Sequence, residues 1–205
     1  MPDFNFEYEA IGQGLAPVVG VDEAGRGPWA GPVVAWAAIL DIETLPESLR
    51  LGLDDSKKVK AEKREILFDL LLAHAKTGVG IASVQEIDKI NILQATMLAM
   101  KRAVEDLGIT PGMVLVDGNR LPDWPYASQA IIKGDGRSLS IAAGSIVAKV
   151  SRDHIMADLA QDHPQYGWER NAGYGTKQQQ QGLVEFGICQ HHRRSFKPIR
   201  KILGI

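Results

Sequence analysis

The sequence predicts an α/β protein, a mixed central β-sheet flanked by helices with a helical C-terminal region. Three observations carry that prediction. Short apolar runs at 17–22, 32–40 and 113–117 read as buried strands, two of them ending on an acid. Longer stretches at 86–107 and about 139–160 have the length and spacing of helices. Strands interleaved with helices in this order make sheet-and-helix layers.

The first run closes on Asp22 and is followed by Gly25 and Gly27, so a strand should end there in a turn. The second, Pro32 to Leu40, follows after a short connection, and the pair is expected as an antiparallel hairpin in the sheet centre. A loop at Asp54-Asp55-Ser56-Lys57-Lys58 precedes a helix at about 60–75, and 79–84 reads as a third strand. In the 86–107 helix Ile90, Leu93, Met97, Met100, Val104 and Leu107 line one face; Gly108 stops it and Pro111 follows. Residues 113–117 then form a short parallel strand ending on Asp117. Another strand at 128–133 runs into Gly134-Asp135-Gly136, before a long helix near 139–160, a turn at 173–175 and a helix at 177–186. The tail 188–205 carries Arg193, Arg194, Lys197, Arg200 and Lys201 and no acid, and His191-His192 is read as part of it.

The 205 residues, 45% hydrophobic and 23% charged, suit one domain over 1–205 with a helical, basic segment from about 176. The net charge of −2 does not point to nucleic acid, but a carboxylate-rich site can mask a local basic surface. The lone cysteine, Cys189, excludes an intrachain disulfide and fits a reducing compartment. No signal-peptide pattern opens the chain, and the longest apolar run, Val33 to Leu40, is too short to cross a bilayer. A cytoplasmic protein with no membrane attachment is expected.

Three strand ends deliver acids, Asp22-Glu23, Asp117 and Asp135, each beside glycine. Carboxyl ends of neighbouring strands are where α/β sheets place ligands. Uncompensated carboxylates in one place repel each other and raise their own pKa values. A hard divalent cation such as Mg²⁺ removes that conflict through oxygen ligands. Two such ions about 3.5–4 Å apart activate a water and stabilise the leaving oxygen in phosphodiester cleavage. The acids alone leave a second reading open, because strand-end acids also form turns and cap helices. Asp22 and Glu23 point to opposite faces of a regular strand, so they share a site only if the chain bends there. Zinc is disfavoured: the five histidines form no HxH or HExxH and Cys189 has no CxxC partner.

These residues fall into an ordered set of motifs. Gly20 to Pro28 (GVDEAGRGP) is followed by Asp54 to Lys58 (DDSKK), Asn91 to Thr96 (NILQAT), Val116 to Asn119 (VDGN) and Lys133-Gly134-Asp135. Then come Ser140 to Lys149 (SIAAGSIVAK), Arg152-Asp153, Gly173 to Thr176 (GYGT) and His192 to Phe196 (HRRSF). In this order the set resembles the bacterial-type ribonuclease HII family over roughly residues 18 to 198. The resemblance implies a ribonuclease H-like fold and a monomeric endonuclease using Mg²⁺ or Mn²⁺. Its substrates would be RNA–DNA hybrids and DNA duplexes containing ribonucleotides. It assigns metal binding and catalysis to Asp22, Glu23, Asp117 and Asp135, and recognition of the ribonucleotide to Gly25, Arg26, Gly27 and Tyr174. One departure is Gly144, where the family usually has alanine; no functional effect is expected. Ribonuclease HIII is less similar, since it carries a lysine where Arg26 stands in the glycine turn.

The 2′-hydroxyl distinguishes RNA, and glycines let a sugar approach the backbone of 25–27 while Tyr174 stacks on it. Without the resemblance these residues read as a tight turn and a core tyrosine. Lys57, Ser145 and Lys149 are candidate phosphate holders; Ser145 and Lys149 share a helix face, and Lys149 with Asp153 also reads as a plain helix salt bridge. The basic tail is a candidate contact for duplex backbone, with a frayed terminus as the alternative. Two rivals remain on the residues alone: a DNA nuclease or junction resolvase on a similar acidic scaffold, and a non-catalytic hybrid-binding module. The 25–27 turn with Tyr174 disfavours the first, and the full carboxylate set disfavours the second.

Overall fold

The computed structural model describes residues 1–205. Strands β1 (Val18–Ala24), β2 (Val33–Leu40), β3 (Ala75–Ala82), β4 (Met113–Asp117) and β5 (Ser128–Ile131) form one sheet in the order β3-β2-β1-β4-β5. β2 is antiparallel to both β1 and β3, β4 is parallel to β1, and β5 is parallel to β4. The hairpin expected from residues 17–40 is present, and β1 is the middle strand. The helices are α1 (Asn5–Gly12), α2 (Glu47–Gly52), α3 (Ala61–His74), α4 (Val84–Asp106), α5 (Leu139–Asp162), α6 (Trp168–Asn171), α7 (Lys177–Phe186) and α8 (Lys197–Leu203). None is long and apolar enough to cross a membrane.

Both faces of the sheet are covered. Ala95, Ala99 and Met100 of α4 pack on Val19, Val21 and Val114. On the other face Ala143, Ile146 and Val147 of α5, with Leu67 and Leu71 of α3, pack on Ala38 and Leu40. This double burial is why the central strands read as continuous apolar runs. A smaller cluster joins α6, α7 and α8 to the far half of α5 around Tyr166, Trp168, Leu183 and Ile199.

Gly20 sets the closeness of β1 to α5, because a Cβ there would overlap the backbone of Ser140 and Ile141. Gly20→Ala must push the strand and helix apart, at a cost of about 1–3 kcal/mol or more. In a thermal melt the Tm should fall by roughly 2–12 °C. An unchanged Tm would show that this contact can relax freely.

Several elements differ from the sequence reading. The third strand starts at Ala75, directly after α3, because 75–77 stay in register with Leu40 to Ala38. Helices α1 and α2 carried no periodic signal. α1 is tied down by a carboxylate instead: buried Glu7 accepts hydrogen bonds from Ser138 Oγ, Ser140 N and Ser140 Oγ at 2.7, 3.0 and 2.6 Å. The expected 86–107 helix starts at Val84 behind a Ser83–Glu86 capping box and is broken at Asn91, with φ 67° and ψ 164°. The Asn91 side chain caps the second piece by accepting from Leu93 N and Gln94 N. The fifth strand is shorter than 128–133 and ends at Ile131.

The largest correction concerns the tail. His192 and Arg193 are buried, and residues 191–193 run beside 29–31. Gly31 N donates to His191 O and Arg193 N to Trp29 O at 2.9 and 2.8 Å. His192 sits among Tyr166 and Trp168, and burial pushes its pKa down to about 4, so it adds no positive charge. The segment is anchored again where Asp88 accepts from Arg194 N, Ser195 N and Ser195 Oγ. Residues 191–195 are therefore a strap across the molecule; the remaining cations Lys197, Arg200 and Lys201 lie on or beside α8.

Candidate active site

β1 and β4 are parallel neighbours, and their pairing stops at Val21 opposite Val116. The next residue of each strand is an acid, so Asp22 and Asp117 emerge side by side at the carboxyl end of the sheet. β1 continues, paired with β2, through Glu23 and Ala24. Asp22 and Glu23 both line the cavity beyond the end of the β1–β4 pairing. The Asp22 Oδ1 accepts the Glu23 amide at 2.7 Å, fixing the two together.

Asp135 arrives from the turn Gly134–Gly136 that leads into α5. The Gly134 amide donates to Asp117 Oδ1 at 2.7 Å, which links that turn to β4. Asp135 is buried and coupled electrostatically to Asp117, although it stands beside the cavity wall rather than on it. The cavity itself, of about 520 Å³, is lined by Asp22, Glu23 and Asp117 together with Gly25–Gly27 and Tyr174, and by Lys57, Ser145 and Lys149. Ten of the eleven residues singled out in the sequence thus line one cavity, and the eleventh, Asp135, lies off its lining in the field of Asp117.

The electrostatics show a negative centre short of compensation. Burial, then Glu23 and Asp117, raise the Asp22 pKa well above the carboxylate range. Burial raises Glu23 to about 7, with Asp117 adding to the rise and Arg26 opposing it. Burial and Asp117 also raise Asp135. Burial alone would lower Lys57, but Asp55, Asp22, Asp135 and Asp117 outweigh it and hold the ammonium above its usual value. A divalent cation relieves such repulsion among hard oxygen donors, although in this structure no three of these acids are grouped closely enough to hold one.

The two lysine-and-serine candidates on α5 are already engaged. The Ser145 hydroxyl donates to Ser56 Oγ at 2.9 Å and also lowers the Asp22 pKa, so it supports the carboxylates. Lys149 Nζ pairs with Asp153 at 2.6 Å, the helix salt bridge that the sequence offered as the plainer reading. Arg26 spans 3.3 Å to Glu23 Oε1 and stays largely exposed. Tyr174 is 50% exposed, which rules out a core tyrosine. Its turn is held from beneath by buried Gln179, whose Nε2 donates to Gly173 O and Tyr174 O, both at 2.8 Å.

Sequence reading missed two arginines. Arg152 lines the cavity and is 2% exposed; it donates to Pro32 O, Ala172 O and Ala30 O at 3.0, 2.8 and 3.0 Å. Arg193, 0% exposed, donates to Gly25 O, Arg26 O, Gly31 O and Pro32 O. Neither meets a carboxylate. Burial pushes their pKa values down to about 10 and about 9, so both stay charged at neutral pH. Arg152 was open to discovery, since it falls on the helix face of Ser145 and Lys149.

Comparison with known proteins agrees with this geometry. A family model described as Ribonuclease HII matches residues 19–199. Ribonuclease HII of Ruegeria pomeroyi is 54% identical over 203 residues, covering 98% of this chain and 85% of that protein. The Paramagnetospirillum magneticum protein of the same name is 55% identical over 203 residues, covering 99% of each. The crystal structure of ribonuclease H2 from Pyrococcus horikoshii superposes with a TM-score of 0.72 at 30% identity, covering 90% of this chain and 96% of that one. With the fold, the strand-end acids and these likenesses in agreement, the chain belongs to the ribonuclease HII family of RNase H endonucleases.

Proposed function

We propose that the chain cuts the RNA strand of RNA–DNA hybrids, and the 5′ side of a lone ribonucleotide in duplex DNA, using Mg²⁺ or Mn²⁺ held by Asp22, Glu23, Asp117 and Asp135. One observation carries this reading: repelling carboxylates from two parallel strand ends line the same cavity as a glycine turn and an exposed tyrosine. Cations held by these carboxylates would supply an activated water and neutralise charge on the leaving oxygen. The chain's own residues do the rest. Asp22 and Asp117, fixed at adjacent strand ends, set where the scissile phosphate can lie. The 25–27 backbone and Tyr174 fit the sugar and its 2′-hydroxyl. Lys57 reaches the mouth of the carboxylate cluster and offers a positive charge to phosphate. The products are a 3′-hydroxyl and a 5′-phosphate.

The test is digestion of a duplex with one ribonucleotide, beside the all-DNA duplex of the same sequence, in Mg²⁺, Mn²⁺ or EDTA. Cleavage should fall immediately 5′ of the ribonucleotide, and neither the all-DNA duplex nor EDTA should give product. Equal cutting of both duplexes would instead identify a general DNA nuclease.

The same carboxylates predict a pH dependence. A protonated carboxyl does not hold a cation, and Glu23 is raised to about 7. The Mg²⁺ concentration for half-maximal rate should therefore fall as pH rises from 6 to 8, by up to about tenfold per unit for each proton released. Titrations at three pH values measure it; a constant half-point would mean that these acids are already ionised.

A further inference from the structure

The strap and the glycine turn meet at Arg193. Its Nη2 donates to Gly25 O at 2.6 Å and its Nη1 to Arg26 O at 3.1 Å. A trans peptide is planar, so its N–H points opposite to its C=O. With the Gly25 and Arg26 carbonyls drawn inward to Arg193, the Arg26 and Gly27 amides must face the other way. Neither amide donates to any protein group, and both residues line the cavity. Gly25 has φ +103°, and a Cβ there would overlap the Arg152 Nε and lie 2.8 Å from Pro32 O. The turn is thus pressed directly onto the arginine layer. Arg152 ties this layer to the Tyr174 turn, since the same guanidinium that binds Ala30 O and Pro32 O also binds Ala172 O, two residues before Tyr174.

We propose that Arg193 and Arg152 are positioning residues for sugar selection. Two hydrogen bonds from Arg193, to Gly25 O and Arg26 O, turn the Arg26 and Gly27 amides away from the strap, and five more, to carbonyls of Ala30, Gly31, Pro32 and Ala172, tie the segment after the turn to the one that leads into Tyr174. Carbonyls rather than carboxylates suit this task. A carboxylate partner would hold the guanidinium, whereas carbonyl partners let the guanidinium hold the chain. The planar fork engages several carbonyls at once, which a lysine ammonium cannot copy with the same directions. The proposal rests on the sugar-reading role given to residues 25–27 and Tyr174 above.

The test uses Arg193→Lys and Arg152→Lys in the full chain. Melting temperature is measured first, then kcat/KM on the one-ribonucleotide duplex and on a long RNA–DNA hybrid. Expected is a loss of about 10- to 100-fold at the lone ribonucleotide with a much smaller loss on the hybrid, where neighbouring sugars offer other registers. A purely structural role would lower both rates together, so a ratio within about twofold of wild type in a folded variant overturns the proposal. If neither variant folds, amide hydrogen exchange of the wild type in EDTA decides. The Arg26 and Gly27 amides should be slowed by the one-ribonucleotide duplex and not by its all-DNA counterpart, and equal slowing overturns the proposal. Failure of the wild type to cut at the ribonucleotide would sink the underlying function, whereas wild-type cutting with unchanged ratios in the variants sinks only the arginine role.

Discussion

Asp22→Asn is expected to lower kcat by about three orders of magnitude, since a metal centre contributes several kcal/mol to the transition state. It should also make the metal-free protein more stable. Asp22 is buried beside Glu23 and Asp117, and its pKa is raised chiefly by that burial. A raised carboxyl pKa means that the folded chain binds the proton more tightly than the unfolded chain. Stability is then highest at low pH and declines as the pH climbs from the ordinary value toward the folded one. For Glu23 that window runs from 4.5 to about 7. Removing one of these charges should raise the Tm at pH 8 in EDTA, by roughly 2–12 °C for a gain of about 1–3 kcal/mol. Asp117→Asn should be equally inactive, and binding of the hybrid should survive in both variants. A variant that is inactive and also less stable in EDTA would mean that Asp22 is a structural acid rather than a strained ligand. Near-normal turnover of Asp117→Asn would remove β4 from the site.

Tyr174→Ala should weaken cleavage at a lone ribonucleotide far more than cleavage of a long hybrid. The loss of the ring and the hydroxyl removes about 1–3 kcal/mol of sugar recognition, or roughly 5- to 150-fold in kcat/KM. Because the side chain is half exposed, the fold has little to lose. The measurement is the ratio of kcat/KM on the two substrates for wild type and variant, with Tm as the control. An unchanged ratio would show that the sugar is read elsewhere, by the 25–27 backbone alone.

How far the sequence was legible depends on what holds each piece in place. The acids at 22 and 117 were legible because an apolar run ending on an acid marks a buried strand end. Two such ends on parallel neighbouring strands must then lie together. Their sharing of one cavity with Glu23 was legible only from the motif order, since alternation along β1 argued against it. Glu7 and Asn91 were not legible. One replaces an apolar helix face with three hydrogen bonds, and the other breaks a helix without disturbing its apolar spacing. Arg193 was misread for a sharper reason. A cation in a basic stretch reads as solvated, and nothing local reveals that its partners are carbonyls more than 160 positions earlier.

That separation has a consequence for the order in which the molecule matures. Gly25 and Arg193 are 168 positions apart. The hairpin, β4 and all of α5 come from earlier chain, so every segment that carries the acids precedes residue 193. Only when the strap closes is the glycine turn given a floor. Closing so long a loop costs entropy that must be met before its contacts can return anything, which makes it a late step in folding. On this ground the support of the glycine turn is expected to form after the strand-end acids have come together, and pulse-labelled hydrogen exchange during refolding should protect the β1 and β4 amides before that of Arg193.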